Sequence, residues 1–442
     1  MTLTKKNSTK TANQKTIPEI STSDLLDRLN QADLTLVDIR PVDAYNGWPL
    51  QNEPRGGHLP TARNLPAKWS GYLDWVEIVQ NKRITPDQSI VLYGYDARET
   101  EKVADLFRRI GFGEIMVYHH FLTDWSPNSS LPLKKLKRYQ NLIPAAALKA
   151  LLNGNPHPGL DTATYVVCHA HYQNPDDYSL GHIPGAIALD TLALESPETW
   201  NRRGLDELQE ALRRHGITVD STVILYGRFS SPNFADPFPG SSAGHLGAIR
   251  CAAILLYAGV KDVRVLNGGL QAWEDAGYEL TKAETIPSAA ASFGASIAGR
   301  SELFIDVPQA KELLAAEDGA LVSVRSWPEF IGETSGYHYI EKRGRIPGAI
   351  FGNCGSDAYH MENYRNPDHT TREYPEIAQI WQEAGITPDK RVAFYCGTGW
   401  RGSEAFLNAW LMGWPNVAVF DGGWFEWSSD PENPIETGIP VE

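Results

Sequence analysis

The stretch "RVAFYCGT", residues 391–398, decides how this chain is read. Val392 to Tyr395 are apolar and β-favouring, as in a strand buried on both faces. Cys396 follows, then Gly397, Thr398 and Gly399, and then the helix-forming run "GSEAFLNAWLMGW" (402–414). Two other segments have the same layout. "SIVLYGYD" (89–96) leads into "TEKVADLFRRIGF" (100–112), and "TVILYGRF" (222–229) leads, after a longer loop, into "LGAIRCAAILLYAGV" (246–260). The residue after the strand is Gly94 in the first copy, Gly227 in the second and Cys396 in the third.

Working outward, each copy has an earlier strand: "TLVDIRP" (35–41), "YVVCHAH" (165–171) and "LVSVRSW" (321–327). A turn containing proline follows each: "GGHLPTARNLP", "LGHIPGAIALD" and "RGRIPGAIFGN". A repeat of this length, with strands alternating with helical stretches, predicts tandem α/β domains, each a parallel sheet flanked by helices. The boundaries are expected near 137–141 and in the Ala/Ser/Gly-rich stretch 285–298, giving domains 17–136, 140–284 and 298–442. The third copy carries an insertion, "GSDAYHMENYRNPDHTTREYPE", whose Asp357, His360 and Glu362 either line the mouth of a site or belong to a solvated loop. The second carries a long loop, "RFSSPNFADPFPGSSAGH".

The 442 residues include 40 Lys+Arg against 54 Asp+Glu, a formal charge of −14. This acidic balance argues against nucleic acid or an anionic membrane surface as a partner, since phosphate backbones attract basic faces. No run approaches the ~20 apolar residues of a membrane span. The opening "MTLTKKNSTKTANQKT" lacks an apolar core, so it reads as a disordered arm rather than a secretory leader. The expected location is the cytoplasm, or the periplasm if the true start carries a signal peptide. Four cysteines, at 168, 251, 354 and 396, contain no C-x-x-C pair. Neither a disulfide framework nor a metal site is expected, and no cofactor.

Cys396 carries the chemistry. Ligands of parallel α/β units bind beyond the carboxyl ends of the strands. Two glycines let the chain curl so that successive amides form an anion nest, and a helix starting near Gly402 adds its positive end. Such a setting favours the thiolate. Arg401 stands five residues after the cysteine. This C-x4-R spacing is one residue shorter than the C-x5-R loop of cysteine phosphatases and suits a group smaller than phosphate. Cys168 and Cys251 lie in apolar patterns and read as core. Cys354 reads as a loop residue, with a resolving thiol as the alternative. Trp400 either walls the loop or packs, and Trp424 and Trp427 read as core.

These features resemble the rhodanese domains of the sulfurtransferases. The strings "SVRSWPEFIGETSGYHYI", "FYCGTGWRGSEAF", "DGGWFEWSSDP" and "YNGWP" are similar to the three-domain thiosulfate sulfurtransferases of enterobacteria. The resemblance covers about 17–440 and implies sulfane-sulfur transfer through a persulfide on Cys396, in two covalent half-reactions. Amides from Gly397, Thr398, Gly399, Trp400 and Arg401 would stabilise the persulfide, and Arg325 and Arg401 would bind an anionic donor. The family pattern at the first strand is Asp-x-Arg, whereas this chain has Ser323-Val324-Arg325. The implied partners are small molecules: thiosulfate as donor, cyanide or a thiol as acceptor. One rival reading is a persulfide relay fed by a cysteine desulfurase or a sulfur carrier protein. Another is a non-catalytic redox-sensing or binding protein, and a third a cysteine phosphatase. The first two copies, without a cysteine at this position, read as scaffold, docking surface or lid.

Overall fold

A computed structural model describes residues 17–29, 31, 33–155, 160, 164–229 and 243–440. The N-terminal arm and most of the long loop of the second copy lie outside the described residues. Among the described residues fourteen strands form three sheets. The first holds β1 (Leu34–Asp38), β2 (Arg63–Asn64), β3 (Ser89–Tyr93) and β4 (Ile115–Tyr118). The second holds β5 (Leu142–Ile143), β6 (Tyr165–His171), β7 (Ile187–Asp190), β8 (Thr222–Tyr226) and β9 (Asp262–Leu266). The third holds β10 (Phe304–Ile305), β11 (Gly319–Ser323), β12 (Ile350–Phe351), β13 (Arg391–Tyr395) and β14 (Val417–Phe420).

The strand orders are β2-β1-β3-β4, β7-β6-β8-β9-β5 and β12-β11-β13-β14-β10, so one topology is built three times. Every pairing is parallel. Each sheet therefore needs helices on its faces, and the central strands read as unbroken apolar runs. Val392 to Tyr395 are all buried, as are Ile90 to Tyr93 and Val223 to Tyr226. Gly94, Gly227 and Cys396 each stand one residue past such a strand.

Residues 1–135 form one unit and residues 136–442 another. In the first, β3 leads into α1 (Ala97–Arg109), capped by the Asp96 carboxylate, which accepts from the Glu99 amide. In the second, α2 (Ala243–Ala258) packs against α3 (Trp400–Met412), so the second and third sheets share one continuous apolar core. Among the described residues no helix is long and apolar enough to cross a membrane.

Candidate active site

The cysteine loop is shaped by close approach. Cys396 is fully buried. Gly399 takes φ 92°, a left-handed conformation that glycine adopts without strain. It turns the chain so that α3 begins at Trp400, two residues earlier than the sequence suggests. A Cβ on Gly397 would fall 2.4 Å from the Tyr337 ring, so only glycine lets that ring lie on the loop. The loop's carbonyls are held from behind: the Trp424 amide donates to Cys396 O at 2.9 Å, and the Phe425 amide to Gly397 O at 2.9 Å. The helix Gly423–Ser429 is thereby locked under the cysteine.

Three side chains form a buried ion cluster beside the loop. The Arg401 Nη1 and Nη2 donate to the two Glu329 oxygens at 3.0 and 2.9 Å. The Arg325 Nε donates to Glu329 Oε1 at 3.2 Å. The Ser326 amide and hydroxyl donate to Oε2. Burial alone would raise the Glu329 pKa, but the two guanidiniums outweigh it and pull it down to about 2. Arg325 and Arg401, the residues expected to bind an anionic donor, both pair with Glu329. Both are buried. Arg325 spends its remaining nitrogens on Gly344 O and Ser335 O, and Arg401 also donates to Asp357 O. One carboxylate thus serves two guanidiniums, which leaves the cluster with one net positive charge.

Glu329 also accounts for the departure at Ser323. In the first sheet Asp38 and Arg40 form a bidentate pair two residues apart on one strand end. In the third, the carboxylate comes from the short helix Trp327–Phe330 instead. Sequence reasoning missed Glu329, although Ser326 followed three residues later by Glu is the capping-box pattern that would have flagged it.

Aromatic rings wall the cysteine. Tyr337 and Tyr339 stack on each other with centroids 5.2 Å apart, and both hydroxyls lie within electrostatic reach of Cys396. Burial first, and the nearby thiol with it, pushes both phenols up. Thr398 partners the Tyr339 hydroxyl. Tyr337 donates to Ala358 O at 3.2 Å. The insertion therefore meets the site through its backbone at Asp357 and Ala358, and through the Tyr359 ring, which lies edge-on to Tyr337. Within the insertion, Asp357 accepts from the His360 Nδ1, and Glu362 from the Ser356 amide.

The second sheet's domain also reaches the loop. The Trp400 Nε1 donates to both oxygens of Glu195 at 3.0 Å, and its ring meets Tyr172 edge-on. Trp200 stacks on Tyr339 at 4.7 Å. None of Tyr172, Glu195 and Trp200 carried a motif in the sequence. The remaining cysteines are buried. Cys354 donates to Val324 O, and burial pushes its thiol up to about 12, as it does that of Cys168. Trp424 and Trp427 are in the core.

The empty positions of the other two copies are closed. A Cβ at Gly227 would lie 2.1 Å from Gly244 O, and one at Gly94 would lie 2.7 Å from the Ile39 side chain.

A threefold parallel α/β fold with a nucleophile at one strand end defines a class, and the chain belongs to the rhodanese-like family. The Rhodanese-like domain matches three times, over residues 21–128, 147–276 and 306–430. The chain is a sulfurtransferase by its relatives. It is 40% identical to thiosulfate sulfurtransferase YnjE of Escherichia coli over 418 residues, which is 93% of this chain and 91% of that protein. It is 31% identical to the sulfur carrier protein TtuD of Thermus thermophilus over 59% of this chain and 87% of that protein. Among solved structures it is similar to wild-type EanB, at 56% identity and TM-score 0.93, covering 96% of this chain and 99% of that one. It is equally similar to an EanB tyrosine variant with ergothioneine covalently linked to a persulfide cysteine, at 56% identity and TM-score 0.94, covering 96% and 100%.

Proposed function

We propose that Cys396 carries sulfane sulfur as a persulfide and delivers it to the carbon of an imidazole acceptor of the hercynine type. The observation that carries this reading is a set of intervals. In the EanB structures the persulfide cysteine lies 59 residues after a tyrosine and two before a threonine that were substituted in complexes with ergothioneine or hercynine. Tyr337, Cys396 and Thr398 repeat those intervals here. A further EanB cysteine, 42 residues before the persulfide cysteine, corresponds to Cys354, and another, 73 before it, falls on Ser323.

Ergothioneine is hercynine with sulfur on the imidazole carbon between the nitrogens. The transfer breaks the S–S bond of the persulfide, forms a C–S bond, releases the carbon's proton and returns Cys396 as a thiol. It needs no external oxidant, because the sulfane sulfur is reduced as the carbon is oxidised. Among the described residues, the amides of Gly397, Thr398, Gly399, Trp400 and Arg401 donate to no protein acceptor, which leaves them for the terminal sulfur. Arg325 and Arg401 act through Glu329 to fix the loop, and Tyr337 and Tyr339 wall the acceptor. Catalysis resides in the third domain, 298–442. Domains 17–136 and 140–284 lack the cysteine.

The test is product analysis. Sulfur-loaded protein with hercynine should yield ergothioneine, and Cys396→Ser protein none. Thiocyanate from cyanide without any ergothioneine would overturn the imidazole acceptor and leave a general sulfurtransferase. Thiosulfate remains a second reading for the donor, favoured by the likeness to YnjE. A sulfur carrier protein is the alternative donor, favoured by the likeness to TtuD.

A further inference from the structure

We infer that Glu195, in the domain without a cysteine, is a positioning residue for the cysteine loop and acts through Trp400. Trp400 is the first residue of α3 and belongs to the loop. Its indole N–H meets both oxygens of a fully buried carboxylate. Gly247 of α2 lies against the ring: a Cβ there would be in ordinary van der Waals contact, 3.4 Å, with two Trp400 ring carbons. The slot that seats Trp400 is thus made by Glu195, Gly247 and Tyr172, all from the second domain.

The same carboxylate is keyed to the other side of the cysteine. The Arg250 Nε donates to Glu195 Oε2 at 3.0 Å, and its Nη2 to Asp421 Oδ1 at 2.5 Å. Asp421 precedes the glycines that place the Trp424 and Phe425 amides on Cys396 O and Gly397 O. Arg202 joins this brace by donating to Asp421 and Asp306. Arg250 also donates to Trp200 O. Trp200 has φ 60°, a strained conformation for a bulky residue and one that persists only where its surroundings enforce it. Both flanks of Cys396 are therefore referenced to one buried carboxylate–guanidinium pair.

Facing Glu195 are Arg250 and Cys251 of α2, Trp400 of α3 and Thr191 of its own segment, with Asp190 nearby and Asp421 beyond Arg250. Burial pushes the Glu195 carboxyl up to about 7, against the pull of Arg250. The ionised form that grips the indole is then lost as pH falls through that value.

The inference rests on Cys396 as the sulfur carrier. The experiment is single-turnover discharge of the loaded full-length chain by cyanide, across pH, with Glu195→Gln, Trp400→Phe and the double variant. A hydrogen bond to a charged group is worth enough that each single variant should slow discharge about tenfold. The double variant should be no slower than the slower single, since both remove one contact. The wild-type inflection near pH 7 should vanish in Glu195→Gln. Multiplying effects, or folded variants whose rate and pH profile match wild type while only thermal stability drops, would overturn the inference. Wild-type protein that takes no sulfur on Cys396 would sink the persulfide reading and this one with it. Normal loading with unchanged discharge in the variants sinks this one alone.

Discussion

Glu329 holds two arginines against the cysteine loop, and its removal should be costly. Glu329→Gln leaves Arg325 and Arg401 buried without their shared counter-charge, a change worth about 3–5 kcal/mol of stability. Because its folded pKa lies near 2, below the ordinary 4.5, its stabilisation is complete above about pH 4.5 and is lost as pH falls towards 2. In urea melts the gap between wild type and variant should therefore narrow from pH 7 to pH 3 without closing, whereas a constant gap would contradict the pairing. Gly397→Ala should keep the fold but displace Tyr337, lowering turnover at least tenfold, as read by steady-state kinetics beside a circular dichroism spectrum. Cys396 and its loop were legible because a cysteine between an apolar strand and a glycine-rich curl is chemically conspicuous. Tyr337 and Glu195 were not, because each acts from a distance in sequence that only the fold closes; Glu329 had a local capping-box signal, but its grip on Arg401 did not. Arg325 and Arg401 were visible as residues, but their confinement by a shared carboxylate was not.

At the level of elements, the strand–loop–helix unit recurs with one register, and the sequence carried that plainly: β1–β3, β6–β8 and β11–β13 are all parallel pairs at the centre of their sheets. What separates the copies is how tightly the backbone closes beyond the strand. Restoring the nucleophile should therefore fail. Gly227→Cys puts a Cβ against Gly244 O, a contact that a flexible side chain cannot relieve, so the variant should lose about 1–3 kcal/mol and gain no second reactive sulfur. Thiol labelling of native protein is the check, and rapid labelling at 227 would contradict the closed geometry. The start of α3 shows the limit of sequence reading. The helix-forming run suggested Gly402, but the left-handed turn at Gly399 brings Trp400 and Arg401 into the first turn, where their side chains reach Glu195 and Glu329.

For the whole molecule, one fold recurs three times with a cysteine at the strand end of the third copy, and the second domain contributes side chains to the third's loop. That partnership could not be read from the repeats, which describe each copy by itself. Arg250, Glu195 and Asp421 were given no role in the sequence analysis, yet all three are fully buried and joined through the Arg250 guanidinium. In the proposed function each chain carries one sulfur, on Cys396. The most direct test is the intact mass of the purified protein after incubation with a sulfane-sulfur donor, beside Cys396→Ser. The wild type should gain one sulfur atom, reversed by cyanide, and the variant none. Equal gains in both proteins, or two or more cyanide-labile sulfurs per chain, would contradict the proposed function.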